Sequence, residues 1–89
     1  MPGAGRRVTG DERASKAVDL AGAVRIRREQ LGLRQAELAA LAGCSTRFVH
    51  AIEHAKATVQ LDKLLAVLEV LGLGLVVGPG RGEIRLATP

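Results

Sequence analysis

The sequence predicts a small, mainly α-helical domain, and two observations point to this fold class. The chain has 89 residues, of which 47% are hydrophobic and only 1% aromatic, so its core must be aliphatic. That length supports one domain with a small core. The second observation is the segment Gln35–Glu53, where apolar residues recur at helical spacing on both sides of a central glycine, Gly43. This pattern predicts two short helices joined by a tight turn.

The N-terminal residues 1–16 precede the first strong helical pattern. Residues 1–10 contain a proline and three glycines, which predicts a flexible basic arm. Residues 11–16 are predicted to begin a frayed helical turn. The first firm helix is predicted over Ala17–Leu31, because Leu20 and Val24 give it a buried side and Gly32 follows as a stop signal.

The central pair of helices is defined by its turn. Gly43 accepts a left-handed conformation and ends the first helix, and Ser45 is a favourable N-cap for the second, which we place at Ser45–His54. The N-cap of the first helix is weak, because Arg34 has no side-chain acceptor. The inner faces of the two helices are apolar at helical spacing and consist of Leu38, Ala39, Ala42, Phe48, Val49 and Ile52.

The last helix is predicted over Leu61–Leu71, with Gly72 ending it. Its five leucines are too many for one face of a small domain. We therefore expect some to pack on the domain and others to face a second subunit. Alternating apolar residues then predict a strand over Leu73–Val77 and a second over Glu83–Ala87. The sequence leaves open whether these strands form a hairpin or an intersubunit sheet.

Composition narrows the function classes. The formal net charge is +4, which is compatible with a polyanionic partner. A single cysteine, Cys44, excludes an intramolecular disulfide and suits the cytoplasm, and no targeting segment is visible. The longest apolar run, Leu71–Val77, is too short to cross a bilayer. No paired carboxylates, activated nucleophile or phosphate loop is present, so we expect neither an enzyme nor a cofactor. His50 and His54 lack the further ligands of a zinc site, so no metal is expected.

At Gln35–Glu53 the pattern Q-x-x-L-A-x-x-x-G-x-S-x-x-x-V-x-x-x-E resembles the Xre/Cro/phage-repressor helix-turn-helix family. The resemblance covers about Leu20–Leu71. It implies a lambda-repressor-like domain of about four helices, here predicted over residues 17–72, followed by a dimerisation segment over residues 73–89. Residues 57–77, predicted as a leucine-rich helix that runs into a short apolar strand, resemble the HipB-like antitoxins, which partner HipA-type serine/threonine kinase toxins.

The resemblance implies that the second helix reads the DNA major groove. Arg47 is the strongest base-reading candidate, because arginine bonds guanine bidentately. Arg34 stands where the family usually has Thr or Ser, and it is well placed to meet a phosphate. The complete base-facing set is Thr46, Arg47, His50 and Ala51. The residues expected to contact phosphates are Arg34, Gln35, Ser45 and Lys56.

Two structural expectations also follow from the resemblance. Arg28 matches an arginine that forms a buried ion pair with the glutamate closing the recognition helix, here Glu53. Ala55 stands where the family often has glycine. Alanine resists a positive φ, so we expect the recognition helix to continue or to end differently there.

These observations together predict a homodimeric, operator-binding transcriptional repressor of the antitoxin type. Dimerisation is assigned to Leu73, Leu75, Val76 and Val77, because pairing of two such strands would close an exposed edge. A HipA-type kinase is a second expected partner. Two alternatives remain: a stand-alone Xre-type regulator, and a protein-interaction module that has kept the fold. The polar, basic face of Ser45–His54 favours DNA binding over the interaction module.

Overall fold

The computed structural model of this chain describes residues 5 and 7–85, without the side chains of residues 14 and 15. Four helices follow one another along the described residues: α1 (Gly10–Gln30), α2 (Gln35–Ala42), α3 (Thr46–Glu53) and α4 (Leu61–Val70). Helix α3 packs against α1 and α2, and α4 packs against α2. The fold is therefore mainly helical, as the sequence predicts, with the predicted two-helix unit at its centre.

Helix α1 begins at Gly10 rather than at Ala17. Thr9 is its N-cap, and the Thr9 hydroxyl oxygen accepts a hydrogen bond of 3.2 Å from the backbone N–H of Glu12. This bond satisfies one of the amides that a helix start leaves without an intrahelical partner. The segment assigned to the arm at 10–16 is thus part of α1. Much of the remaining arm, residues 1–4 and 6, lies outside the described residues.

The core is aliphatic, as the composition requires. Every helix contributes to it, and α4 contributes most. The buried cluster consists of Val24, Leu38, Ala39, Val49, Ile52, Leu64, Val67, Leu68 and Leu71. Of the five leucines in and just after α4, Leu64, Leu68 and Leu71 are buried, as expected for those that pack on the domain, whereas Leu61 and Leu65 are exposed. No helix in the described part of the chain is both long and apolar enough to traverse a membrane.

All four helices end in the same way, with a left-handed residue just beyond the helix. Three of these residues are glycines, and the fourth is Ala55 with φ +60°. At each helix end, the residue after the left-handed one donates a backbone hydrogen bond to the carbonyl oxygen five residues earlier. Cys44 bonds Ala39 in this way (3.0 Å), and Lys56 bonds Ala51 (3.0 Å). The expectation that Ala55 would prolong or alter the end of α3 is therefore wrong: the chain accepts a strained alanine there.

The two predicted C-terminal strands are absent from the described residues. Leu73 packs against the core, but Leu75, Val76 and Val77 are exposed and belong to no strand. A strand needs a neighbouring edge for its backbone groups, and the described part of the chain supplies none. The predicted hairpin with Glu83–Ala87 is not formed over residues 83–85, and residues 86–87 lie outside the described part.

The segment after α4 instead returns along α1. The Arg27 guanidinium Nε donates a 2.9 Å hydrogen bond to the carbonyl oxygen of Leu71. Further along, a Cβ atom built on Gly82 would lie 3.5 Å from Nζ of Lys16. The segment is thus bonded to Arg27 of α1 at residue 71 and lies near the Lys16 side chain at residue 82, and Val76 and Val77 are exposed between these points.

Candidate nucleic-acid interface

Helix α3 carries the predicted base-facing residues. Its N-cap is Ser45, whose hydroxyl oxygen accepts a 3.1 Å hydrogen bond from the backbone N–H of Phe48. Val49 and Ile52 are buried in the core and fix the inner side of the helix. The predicted base-facing residues share its outer side: three of them are exposed and the fourth is half-buried. In that order they are Thr46, Arg47, His50 and Ala51.

A bidentate ion pair joins α1 to the end of α3. The Arg28 Nε lies 2.6 Å from Oε2 of Glu53, and its Nη2 lies 2.9 Å from Oε1. The third guanidinium nitrogen, Nη1, donates a 2.8 Å bond to the carbonyl oxygen of Leu33. Only 1% of the Glu53 side chain and 13% of the Arg28 side chain are exposed. The expected Arg28–Glu53 pair is thus present, and it fixes the tilt of α3 relative to α1.

The environment of Glu53 keeps its carboxylate ionised. Burial raises the pKa of Glu53, but hydrogen bonds from Arg28 and Gln35 and the positive charge of Arg28 outweigh that effect. The net result is a pKa below the ordinary value for glutamate. The ion pair is therefore fully formed at neutral pH.

Gln35 is partly exposed to solvent and also contacts the buried Glu53 carboxylate. Its side-chain Nε2 donates a 3.3 Å hydrogen bond to Oε1 of Glu53, and the residue is half-buried. Because the Glu53 carboxylate only accepts hydrogen bonds, the NH2 group of the Gln35 amide must face it, and this sets the orientation of the Gln35 side-chain amide. One N–H remains for another acceptor. Sequence reasoning placed Gln35 at a phosphate but missed its link to the ion pair, which joins residues 18 positions apart.

Arg34 is exposed at the start of α2. Its side chain caps no helix amide, as expected, but its own backbone N–H donates a 2.9 Å hydrogen bond to Oε1 of Glu37. Glu37 thus compensates for the weak N-cap. A glutamate three residues after the N-cap is typical of this backbone contact, so its position in the sequence could have predicted it. Of the other predicted phosphate contacts, Ser45 and Lys56 are exposed on one groove beside α3.

His50, His54 and Cys44 do not form a common site. The two imidazole rings stack with centroids 3.7 Å apart, and Nδ1 of His54 lies 2.8 Å from the carbonyl oxygen of His50. Cys44 is half-buried against the core, and burial raises the pKa of its thiol. Within the described residues, no group of three histidine, cysteine or acidic side chains is arranged to hold a metal ion.

Comparison with known proteins agrees with this geometry. Residues 19–77 match the helix-turn-helix domain family, and this match spans more than half of the chain. The chain belongs to that family. A relative is 40% identical to this chain over 70 residues, which cover 78% of this chain and 92% of the relative. That relative is named as the uncharacterized HTH-type transcriptional regulator y4mF of Sinorhizobium fredii.

The family match covers more than the two central helices. It begins within α1, includes all of α2, α3 and α4, and extends to Val77. The apolar residues after α4 are therefore part of this helix-turn-helix domain, although their side chains are exposed in the structure.

Proposed function

We propose that this helix-turn-helix protein is a sequence-specific, DNA-binding transcriptional regulator, and that it acts as a binding protein rather than an enzyme. The observation that carries the proposal is the exposed, polar outer side of α3, held rigidly by the Arg28–Glu53 pair. A short helix with this face fits the major groove of duplex DNA, where side chains reach base edges. The relative named as a transcriptional regulator supports the same function.

Arg47 is proposed as the principal base reader, and Thr46, His50 and Ala51 as its neighbours on the groove. Arg34, Gln35, Ser45 and Lys56 are proposed to contact the phosphate backbone. The Gln35 N–H that Glu53 leaves available is suited to a phosphate oxygen, since it is already oriented before binding. Base contacts should set sequence preference, and phosphate contacts should set general affinity.

The decisive experiment compares two arginine variants on DNA. An operator is first selected from random duplexes by the full-length protein. Arg47→Ala is expected to weaken binding to that operator by about 1–3 kcal/mol and to relax preference at one base position. Arg34→Ala is the matched control: it removes the same charge, but it should weaken binding to all sequences alike. An unchanged ratio of specific to random affinity in Arg47→Ala would reject Arg47 as a base reader.

We further propose that the regulator is a homodimeric repressor. Leu75, Val76 and Val77 are apolar and exposed, and pairing with a second copy about a two-fold axis would cover them. Leu73 is half-buried in its own subunit and would anchor the segment rather than enter the interface. A two-fold dimer presents two recognition helices to a palindromic operator, which is the arrangement that a repressor of this kind requires.

The antitoxin role is proposed from the resemblance of residues 57–77 to HipB-like antitoxins. In that role the protein would bind and restrain a HipA-type serine/threonine kinase. Co-expression with a HipA-type kinase from a neighbouring gene, followed by affinity purification, tests it directly. Co-purification supports the antitoxin role. Failure to co-purify, with operator binding intact, would instead support a stand-alone Xre-type regulator.

A further inference from the structure

A groove beside the recognition helix gathers positive charge from three parts of the chain. Arg47 comes from α3, Lys56 from the loop after it, and Lys63 from the first turns of α4. All three side chains are exposed. Within the described residues, none of them forms an ion pair with a carboxylate. The groove therefore presents three cations to solvent without a neutralising partner in this part of the molecule.

Lys63 lies near an aromatic ring that also lines the groove. Its Nζ lies 6.0 Å from the centroid of the Phe48 ring, at the outer limit for a cation–π contact. Phe48 is half-buried and packs against the core. This distance places the ammonium group of Lys63 near Phe48 of α3.

The rest of the groove's lining is mixed: Phe48, Ala51 and Val59 are apolar, and the other residues are polar. Ser45, Thr58 and Gln60 line it together with the three cations, and each can donate a hydrogen bond to an anionic oxygen. The groove also shares Arg47 and Ala51 with the base-facing side of α3. Whatever binds there must lie immediately beside the occupant of the recognition surface.

We infer that this groove receives a phosphate of the DNA strand bordering the recognition helix, and that Lys63 is a further phosphate-contacting residue. The inference rests on the proposed function, because the same duplex must occupy both surfaces. A backbone phosphate is the anion that necessarily lies beside a helix inserted in the major groove. Lys56 and Lys63 would hold it from the loop and from α4. The contact would thus extend the interface from α2 and α3 to α4.

Lys63→Ala provides a quantitative test by fluorescence anisotropy on full-length protein. Loss of one phosphate contact should reduce the slope of log K against log salt by about 0.9. The affinity deficit of the variant should therefore shrink by about 3.5-fold when the salt concentration is raised from about 50 to about 200 mM. The deficit should be the same on the selected operator and on random duplex, because phosphates carry no direct sequence information.

Lys16→Ala is the matched control, since it removes the same charge from α1, where Lys16 lies near Gly82 and does not line the groove. Its salt slope should remain that of the unmodified protein. Phe48→Leu tests the role of the ring: in that background Lys63→Ala should lower affinity less. Thermal unfolding of each variant establishes that it is folded at the assay temperature.

The outcomes separate this inference from the proposed function. Equal salt slopes for Lys63→Ala and Lys16→Ala, with operator binding intact in the unmodified protein, would overturn the inference alone. A deficit confined to one sequence would also overturn it, since Lys63 would then be a base reader. Absence of any salt-dependent duplex binding by the unmodified protein would overturn the proposed function, and the inference with it.

Discussion

The helix-turn-helix unit at Gln35–Glu53 and the segment at 71–85 are both rich in apolar residues, but the burial of those residues differs between the two regions. In the first, Leu38 and Val49 have no exposed surface. In the second, Val76 and Val77 are 96% and 98% exposed. A helix satisfies most of its backbone hydrogen bonds internally, so it needs the rest of the chain only to cover one apolar stripe.

An extended segment has a further requirement, because its backbone must pair with a neighbouring strand as well as bury its side chains. The described residues offer residues 74–77 neither a strand edge nor an apolar surface. Similar hydrophobicity is therefore accompanied by burial in one region and by exposure in the other. Five predictions test the two sides of this comparison, beginning with the largest expected effect.

Breaking the Arg28–Glu53 pair should damage the helix-turn-helix unit most. Glu53→Gln should lower the free energy of unfolding by about 3–5 kcal/mol, because a nearly buried guanidinium loses its countercharge. Denaturant unfolding at fixed protein concentration measures the change. Arg25→Ala is the matched control, since Arg25 is exposed and should change stability by less than about 0.5 kcal/mol.

Substitution of Arg27 should reduce stability by an amount between the losses expected for Glu53→Gln and Arg25→Ala. Its bond to the Leu71 carbonyl secures the start of the C-terminal segment, so Arg27→Ala should cost about 1 kcal/mol. Similar small losses in Glu53→Gln, Arg27→Ala and Arg25→Ala would contradict the central role of the ion pair.

Acid should weaken the same pair by a second route. The pKa of Glu53 is lowered in the folded protein, so the folded state binds its proton less readily than the unfolded state does. The stabilisation from Glu53 is then complete above the ordinary pKa of 4.5 and is lost as the pH falls below it, through the lowered pKa. Thermal unfolding between about pH 7 and pH 3 should show a smaller acid-induced loss for Glu53→Gln than for the unmodified protein. Parallel curves would contradict this assignment.

Much of the helix-turn-helix unit was predictable because its signals are local. Gly43 and Ser45 mark the turn by their own backbone and capping preferences, and both perform the expected roles. The partnership of Arg28 and Glu53, by contrast, came from resemblance to a family motif. The start of α1 was missed although Thr9 and Glu12 have the spacing of an N-terminal cap, since the glycine between them suggested a flexible arm.

Other features had no local signal. The bond from Arg27 to the Leu71 carbonyl joins residues 44 positions apart, so its identification required the packed helices. Lys63 approaches Phe48 only because α4 folds back on α2. The C-terminal strands were predicted from alternation alone, which indicates a suitable strand sequence but not the presence of a neighbouring edge.

The end of the helix-turn-helix unit offers a smaller, stabilising change. Ala55 has φ +60°, a conformation that costs an L-residue about 1–2 kcal/mol relative to glycine. Ala55→Gly should raise the free energy of unfolding by about 0.5–1 kcal/mol, after allowance for the greater freedom of glycine in the unfolded chain. Gly43→Ala is the inverse control: it has φ +71° and free space for a Cβ, so a loss there reports backbone strain alone. Destabilisation by Ala55→Gly would show that the Ala55 methyl group contributes more through packing than its backbone strain costs.

The smallest effect on the fold should come from the C-terminal segment. Val76→Ser and Val77→Ser, made together, remove apolar groups that are almost fully exposed in the single chain. Unfolding of the dissociated protein should therefore change by less than about 0.5 kcal/mol. If a second copy covers these valines, the same variant should sediment as a monomer at concentrations where the unmodified protein is a dimer. Operator affinity should fall with dimerisation, since each half-site then binds independently.

Leu61→Ser with Leu65→Ser is the matched pair for that experiment, because both leucines are exposed on α4. A dimer that survives loss of the valines but not of these leucines would place the interface on α4. The second copy would then leave Val76 and Val77 uncovered, and a different partner would be needed to cover them. A monomer at all concentrations without any substitution would contradict the homodimer itself. The two double variants thus distinguish which apolar surface the second copy recognises, and the unfolding measurement tests whether the valines are needed to fold the single chain.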